Sequence, residues 1–414
     1  MSPINPIDVS NNLSKRYSTY LQSLVQPSNE LLAAAVENAV RESVETGDGI
    51  VKGPYVEATP PFESGKSLGN LVEEGVLSNE FLSLNSPSLP IDRPLYKHQE
   101  EAIRKATNGR NLIVATGTGS GKTESFLIPV IDYIMKQKEQ GTLSPGVRAL
   151  ILYPMNALAN DQVGRIREVL ANYPAITFGR YTGETKPATD SAVEDYKLAH
   201  GKEPLPNELV SREQMQENPP HILLTNFAML EYLLLRPADS EFFDGADSGQ
   251  WKFIISDEAH VYDGAYGTEV GMLLRKLRER VDESESIQTI GTTATIGDDD
   301  QEIENFAKNF FSNDFTIVDA EQGSSDLVRP TRKKIERSAW GPIPTSEWID
   351  FRTGEDFLSK SPDPKTHDSF LTEGSVVTLR NALFDGPRTV SELAHKVFGD
   401  VADSSLQAVI KIVE

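Results

Sequence analysis

The 414-residue chain has no cysteine, which excludes disulfides and cysteine-ligated zinc within it. No apolar run reaches the roughly 18 residues that a membrane-spanning helix needs. The opening MSPINPIDVSNN has neither the basic nor the apolar stretch of a secretory signal. Positive charge is scarce: 40 Lys and Arg face 62 Asp and Glu, a net charge of −22. That balance argues against the broad basic footprint usual in nucleic-acid binders. Basic residues cluster locally at Arg329, Arg332, Lys333, Lys334 and Arg337, with Glu336 among them. Such a run suits either phosphate contacts or a solvated linker. Asp298, Asp299, Asp300, Glu302 and Glu304 read as a solvated loop and helix start. The expectation is a cytoplasmic protein with no membrane partner.

The most informative stretch is Asn111–Pro129, NLIVATGTGSGKTESFLIP. Leu112–Ala115 reads as a buried strand, and Phe126, Leu127, Val130, Ile131 and Ile134 recur at helical spacing. Between them lie Thr116, Gly117, Thr118, Gly119, Ser120, Gly121, Lys122, Thr123 and Glu124. Strand, glycine-rich turn and helix make the setting of a phosphate-binding loop. Glycines let successive N–H groups point inward, and the helix N-terminus adds partial positive charge. Lys122 is expected to reach the β- and γ-phosphates of ATP, and Thr123 to ligate Mg²⁺. Thr116 stands where the general pattern has Gly.

Residues 92–320 alternate apolar strands with helical patterns, which predicts an α/β fold: a parallel sheet with helices on both faces. Further strands are expected at Ala149–Tyr153, Ile176–Tyr181, Ile222–Thr225, Phe253–Ser256, Ile287–Gly291 and Phe315–Val318. Residues 184–221 read as an insertion on the sheet's rim. Residues 1–91 read as two helices, the second capped by Ser28, then an irregular arm with a short helix near Ser67–Glu74. Residues 321–372, rich in proline, read as a linker. Residues 373–414 read as three short helices, a winged-helix-like piece with a capping box at Thr389 and Glu392.

A second anchor is Phe253-Ile254-Ile255-Ser256-Asp257-Glu258-Ala259-His260. An apolar strand delivers two carboxylates at its C-terminal end, where open α/β sheets bind ligands. Asp257 is placed to hold Mg²⁺, and Glu258 to polarise an attacking water.

With both anchors, the chain resembles the superfamily-two DEAD/DEAH-box helicases, and Asp257–His260 spells the box. The resemblance implies a RecA-like P-loop lobe that hydrolyses ATP with Mg²⁺, using Lys122, Asp257, Glu258 and His260. Tyr96-Lys97-His98-Gln99 resembles the segment in which glutamine reads adenine, a role that passes to Gln99, with Tyr96 packing the base. Pro154 and Asn156, Thr182 and Gly183, and Thr225 and Asn226 occupy the positions of the family's strand-binding motifs, although Asn156 and Asn226 replace commoner residues. Thr293-Ala294-Thr295 is similar to the motif that couples hydrolysis to strand separation. The segments LYPMNALANDQ, LLTNFAMLEYLLLRP and ISDEAHVYDGAYGTEVGMLLRKL resemble large bacterial helicases related to MrfA and to Druantia- and DISARM-type phage-defence subunits.

The family pairs two RecA-like lobes, yet the sequence holds no Gln-x-x-Gly-Arg-x-x-Arg motif of the second. The expectation is a half-motor that needs a second polypeptide and acts on single-stranded or partly duplex DNA, in phage defence or repair. The competing reading is a non-catalytic, ATP-responsive nucleic-acid-binding subunit docked on a partner.

Overall fold

The computed structural model describes residues 6–24, 27–45, 55–58, 60–117, 119–244, 250–281, 287–294, 299–318, 320, 324–334, 337–351, 357, 368–384 and 386–413. It divides into two units: Phe62–Thr331, and Met1–Pro61 with Arg332–Glu414. The sequence pattern places divisions after residues 91, 320 and 372.

The first unit is built on eight strands among the described residues. They are β1 Leu112–Ala115, β2 Ala149–Tyr153, β3 Phe178–Arg180, β4 Glu208–Leu209, β5 Ile222–Asn226, β6 Phe253–Ser256, β7 Gln288–Thr293 and β8 Leu327–Val328. Their order is β8-β1-β7-β6-β2-β5-β3-β4, and every pairing is parallel. All C-terminal ends therefore share one edge. Side chains alternate between faces: Leu112, Val114, Ile151 and Ile255 enter one core, while Ile113, Leu150, Leu152 and Ile254 enter the other. Helices Lys97–Thr107, Lys122–Glu139 and Asn156–Leu170 cover the first face. Helices Phe227–Leu235, Gly264–Val281 and Asp300–Phe311 cover the second. This is the α/β architecture expected.

Two readings change. Phe315–Val318 is not a strand. The Thr316 N–H donates to Asp326, and those of Ile317 and Val318 donate to Glu304, so these three are not left for a ladder. Glu304 is buried rather than solvated, and its hydrogen bond from Lys308 pulls its carboxyl down to about 2. The edge strand is Leu327–Val328, inside the supposed linker. Residues 62–91 also belong to the sheet unit. Ser64–Ser67 pairs with Pro94–Tyr96, and Leu71, Phe81 and Leu84 enter its core.

In the second unit, helices Pro6–Leu24 and Glu30–Glu45 form as expected, but Asn29, not Ser28, caps the second. Helices Gly374–Ala382, Val390–Phe398 and Asp403–Val413 appear, with the Thr389–Glu392 capping box. Ile343, Trp348 and Phe357 from the supposed linker share their core. The basic run is largely engaged. Within the sheet unit Arg329 pairs with Asp300. Within the other, Arg332 donates to the Pro60 carbonyl and Lys334 lies over the Phe384 ring.

Candidate active site

The phosphate loop leaves β1 and enters helix Lys122–Glu139 through Gly119 and Gly121, with φ of +74° and +71°. That left-handed backbone is what glycine permits cheaply. Two consecutive carbonyls of the loop are tethered from outside. His98 Nε2 donates to Ser120 O at 2.9 Å, and Gln99 Nε2 donates to Gly121 O at 2.9 Å. In a trans peptide the carbonyl and the next N–H point opposite ways. The N–H groups of Gly121 and Lys122 therefore point away from the tethers, toward the loop's concave side. A Cβ at Gly121 would lie 2.2 Å from Gln99 Nε2, whereas beside Gly117 and Gly119 the space is open among the described residues. Thr116 has its own explanation: it accepts from Ser120 Oγ at 2.6 Å, a brace that Gly could not supply.

Lys122 is buried, and its Nζ lies 2.9 Å from Glu258 Oε1 at an angle that makes no hydrogen bond. A desolvated ammonium with unused donors is what a phosphate oxygen would satisfy. Asp257 follows β6, with its Oδ1 accepting from Thr292 Oγ1 and, at 3.2 Å, from the Glu258 N–H. Burial raises the Asp257 carboxyl above its ordinary value, partly opposed by the Thr292 bond. Glu258 sits at φ +52°, costly for a residue with a Cβ. His260 Nδ1 is 3.4 Å from Glu258 Oε2. Thr123 Oγ1 donates to Gln162 Oε1 at 3.2 Å, which leaves its oxygen lone pairs for a cation. Buried oxygens from Thr123 and Asp257 beside an anion cradle fit Mg²⁺, a hard cation that prefers oxygen and phosphate ligands.

β2, β3 and β5 end on the same edge beyond β6, and they carry the other candidates. Asn226 caps helix Phe227–Leu235 and donates to Asn156 Oδ1 at 2.6 Å; Asn156 donates to Glu184 at 3.0 Å. Pro154 is half-buried and Gly183 exposed. Thr182 and Thr225 are each 0 % exposed, so their side chains turn into the fold. Thr225 donates to Tyr181 O, and Arg212 holds the Thr182 and Gly183 carbonyls. These two threonines shape the rim from below.

Residues 96–303 match the family model for the DEAD/DEAH box helicase. The chain belongs to that family. It is 31% identical over 378 residues to the Druantia protein DruE of Escherichia coli, covering 70% of this chain and 20% of DruE. It is 28% identical over 228 residues to the ATP-dependent helicase hrq1 of Schizosaccharomyces pombe, covering 54% and 18%. The matched stretch thus spans about a fifth of each relative's length. Among solved structures, the DUF1998 helicase MrfA bound to DNA matches 84% of this chain and 40% of its own, at 21% identity and TM-score 0.48.

Against the DEAD/DEAH motifs, the sheet brings Lys122, Asp257, Glu258 and His260 together. Thr118 and Thr295 lie outside the described residues. Glu124 faces away from the loop's cradle, paired with Arg165 and, at 3.5 Å, with Arg93. Gln99 spends its oxygen on the Tyr96 N–H and an N–H on the loop, so it is first a tether; one oxygen lone pair remains for a donor such as an adenine amine. Sequence reasoning missed His98, Phe62, Gln162 and Thr292. Phe62, Tyr96 and His98 form one aromatic group with centroids 5.0–5.5 Å apart, and Tyr96 is 38 % exposed. The motif around Gln99 pointed to His98; nothing local pointed to Phe62, 34 residues before Tyr96.

Proposed function

We propose that this chain is the ATP-binding lobe of an ATP-dependent DNA helicase or translocase and works with a second RecA-like lobe. One observation carries the reading: a single sheet edge gathers Lys122, Asp257 and Glu258 within contact distance, beside a rim of Gly183, Asn156 and Asn226. In this reading Lys122 and the loop N–H groups hold the phosphates. Thr123 and Asp257 hold Mg²⁺, which neutralises phosphate charge when bound. Glu258 orients the attacking water, and His260 stays beside it. Thr293 ties the site to its strand through its carbonyl, which accepts from Thr116 N at 3.1 Å. The exposed Tyr96 ring packs the base, with the adenine amine meeting Gln99. Single-stranded or partly duplex DNA crosses the rim, in defence or repair.

An arginine from a facing lobe typically contributes on the order of 10³–10⁵ in rate. The polypeptide alone is therefore expected to bind Mg-ATP but hydrolyse it barely, and a second lobe to restore DNA-stimulated turnover. Phosphate release with single-stranded DNA tests this. Turnover within roughly 1–10³ s⁻¹ by this chain alone would contradict the half-motor reading. Lys122→Ala should weaken ATP binding about 10- to 150-fold, the loss of one charge-assisted contact. Unchanged affinity would remove the phosphate-loop assignment. ATP binding with no turnover even beside a second lobe would favour a non-catalytic, ATP-responsive subunit.

A further inference from the structure

The family resemblance places the coupling role on Thr293 and Thr295. The side chain that touches the acidic pair belongs to the residue before them. Parallel register sets Gly291 opposite Ser256, so Thr292 falls opposite Asp257. Successive side chains in a strand face opposite ways, so Thr292 and Thr293 cannot both face the box. Thr292 is 0 % exposed. Its hydroxyl hydrogen goes to Asp257 Oδ1, and its oxygen accepts the Glu258 N–H at 3.2 Å. One hydroxyl thus fixes the direction of one carboxylate and clamps the backbone of the next residue. That residue is Glu258, at φ +52°, a conformation that persists only when its surroundings enforce it. The clamp also leaves Asp257 Oδ2 free of Thr292.

We infer that Thr292 is a positioning residue for the Asp257–Glu258 pair: it aims Asp257 at the cation and holds Glu258 in its left-handed turn. The inference rests on the reading of the edge as a Mg-ATP site. A valine is nearly isosteric and removes only the hydroxyl, whereas a serine keeps it.

The test is titration of the full chain with a fluorescent ATP analogue, in Mg²⁺ and in EDTA, for wild type, Thr292→Val and Thr292→Ser. Wild type should bind more tightly in Mg²⁺. Thr292→Val should lose about 10-fold of that gain while its affinity in EDTA stays unchanged. Thr292→Ser should keep the gain. A general packing defect would lower both affinities and would not be rescued by serine. A valine variant with the full Mg²⁺ gain, or a serine variant that behaves like valine, overturns the inference. If Thr292→Val does not fold, Thr292→Ala takes its place with the same outcomes. Wild type without any Mg²⁺ gain would instead overturn the Mg-ATP reading and the inference with it.

Discussion

The two edges of the sheet are made from the same strands and treat their charged side chains differently. At the entry edge, the buried donors of Arg148, Gln288 and Asn207 are bonded into the fold. Arg148 is 0 % exposed and donates to Gln137 Oε1, Gly146 O and Ser144 Oγ. Gln288 donates to the carbonyls of Ala106 and Arg110, and Asn207 to that of Ile176. His221 bonds through both ring nitrogens, to Thr177 N and Ser144 O. At the exit edge, Lys122 Nζ and Glu258 Oε2 lack a hydrogen bond, the Asp257 carboxyl is buried, and Glu258 is strained. Buried polar groups left partly unpaired cost stability unless a ligand completes them. The contrast separates residues that hold the fold from residues that await something, without reference to motifs.

The largest test of the contrast is Arg148→Leu. The buried Gly146 carbonyl and the half-buried Gln137 Oε1 would lose their donor at about 1–3 kcal/mol each, so unfolding free energy should fall by roughly 2–6 kcal/mol. Nucleotide affinity of the folded fraction should not change. A denaturant titration beside an ATP titration checks both, and a selective loss of ATP binding would erase the distinction between the edges.

The next effect is a pH dependence at the same edge. Burial, with Arg148 nearby, pushes His221 down to about 4. Its Nδ1 accepts the Thr177 N–H, so protonation there would break a bond. The unfolded chain takes up this proton below about 6.5 and the folded chain only near 4. His221 therefore contributes stability above pH 6.5 that is lost as pH falls from about 6.5 to 4, on the order of 3 kcal/mol. Chemical denaturation across that window should show a shallower fall in His221→Asn than in wild type. Equal slopes would place the acid sensitivity elsewhere.

The exit edge was legible in the sequence and the entry edge was not, for a physical reason. Phosphate binding needs glycines, a lysine and a helix start in one short stretch, and catalysis needs two carboxylates at the end of an apolar strand. Those signals are local. Arg148, Asn207, His221 and Gln288 each look like an ordinary polar residue at the start of a strand; the partners of Arg148 lie within 11 residues, but those of Asn207, His221 and Gln288 are distant in sequence, as with Gln288 and Ala106. Short strands failed similarly: Leu327–Val328 pairs with β1 over two residues, too few for a period, while the more apolar Phe315–Val318 has its N–H groups bonded to Glu304 and Asp326. Thr182 and Thr225 stand at the expected places but are 0 % exposed, and the Thr225 hydroxyl donates to the Tyr181 carbonyl.

The smallest expected effect sharpens the comparison most. If the exit edge holds buried charge for a ligand, removing that charge should stabilise the protein without it. Asp257→Asn keeps an oxygen to accept from Thr292 and from the Glu258 N–H, so the change is close to a pure loss of charge. The wild-type carboxyl is raised above its ordinary value, chiefly by burial and secondarily by Glu258, with Thr292 opposing. A raised carboxyl contributes most below its unfolded value and loses that contribution as pH rises through its folded value. Asp257→Asn should therefore melt higher than wild type at neutral pH in EDTA, and the advantage should shrink as pH falls toward 3.8, the ordinary carboxyl value. Adding Mg-ATP should reverse the order, because only the wild type gains a bound cation. Melting curves at two pH values, with and without Mg-ATP, measure all of this. A variant less stable than wild type in EDTA at neutral pH would show that Asp257 belongs to the bonded, fold-holding kind, and the division between the two edges would fail at its central residue.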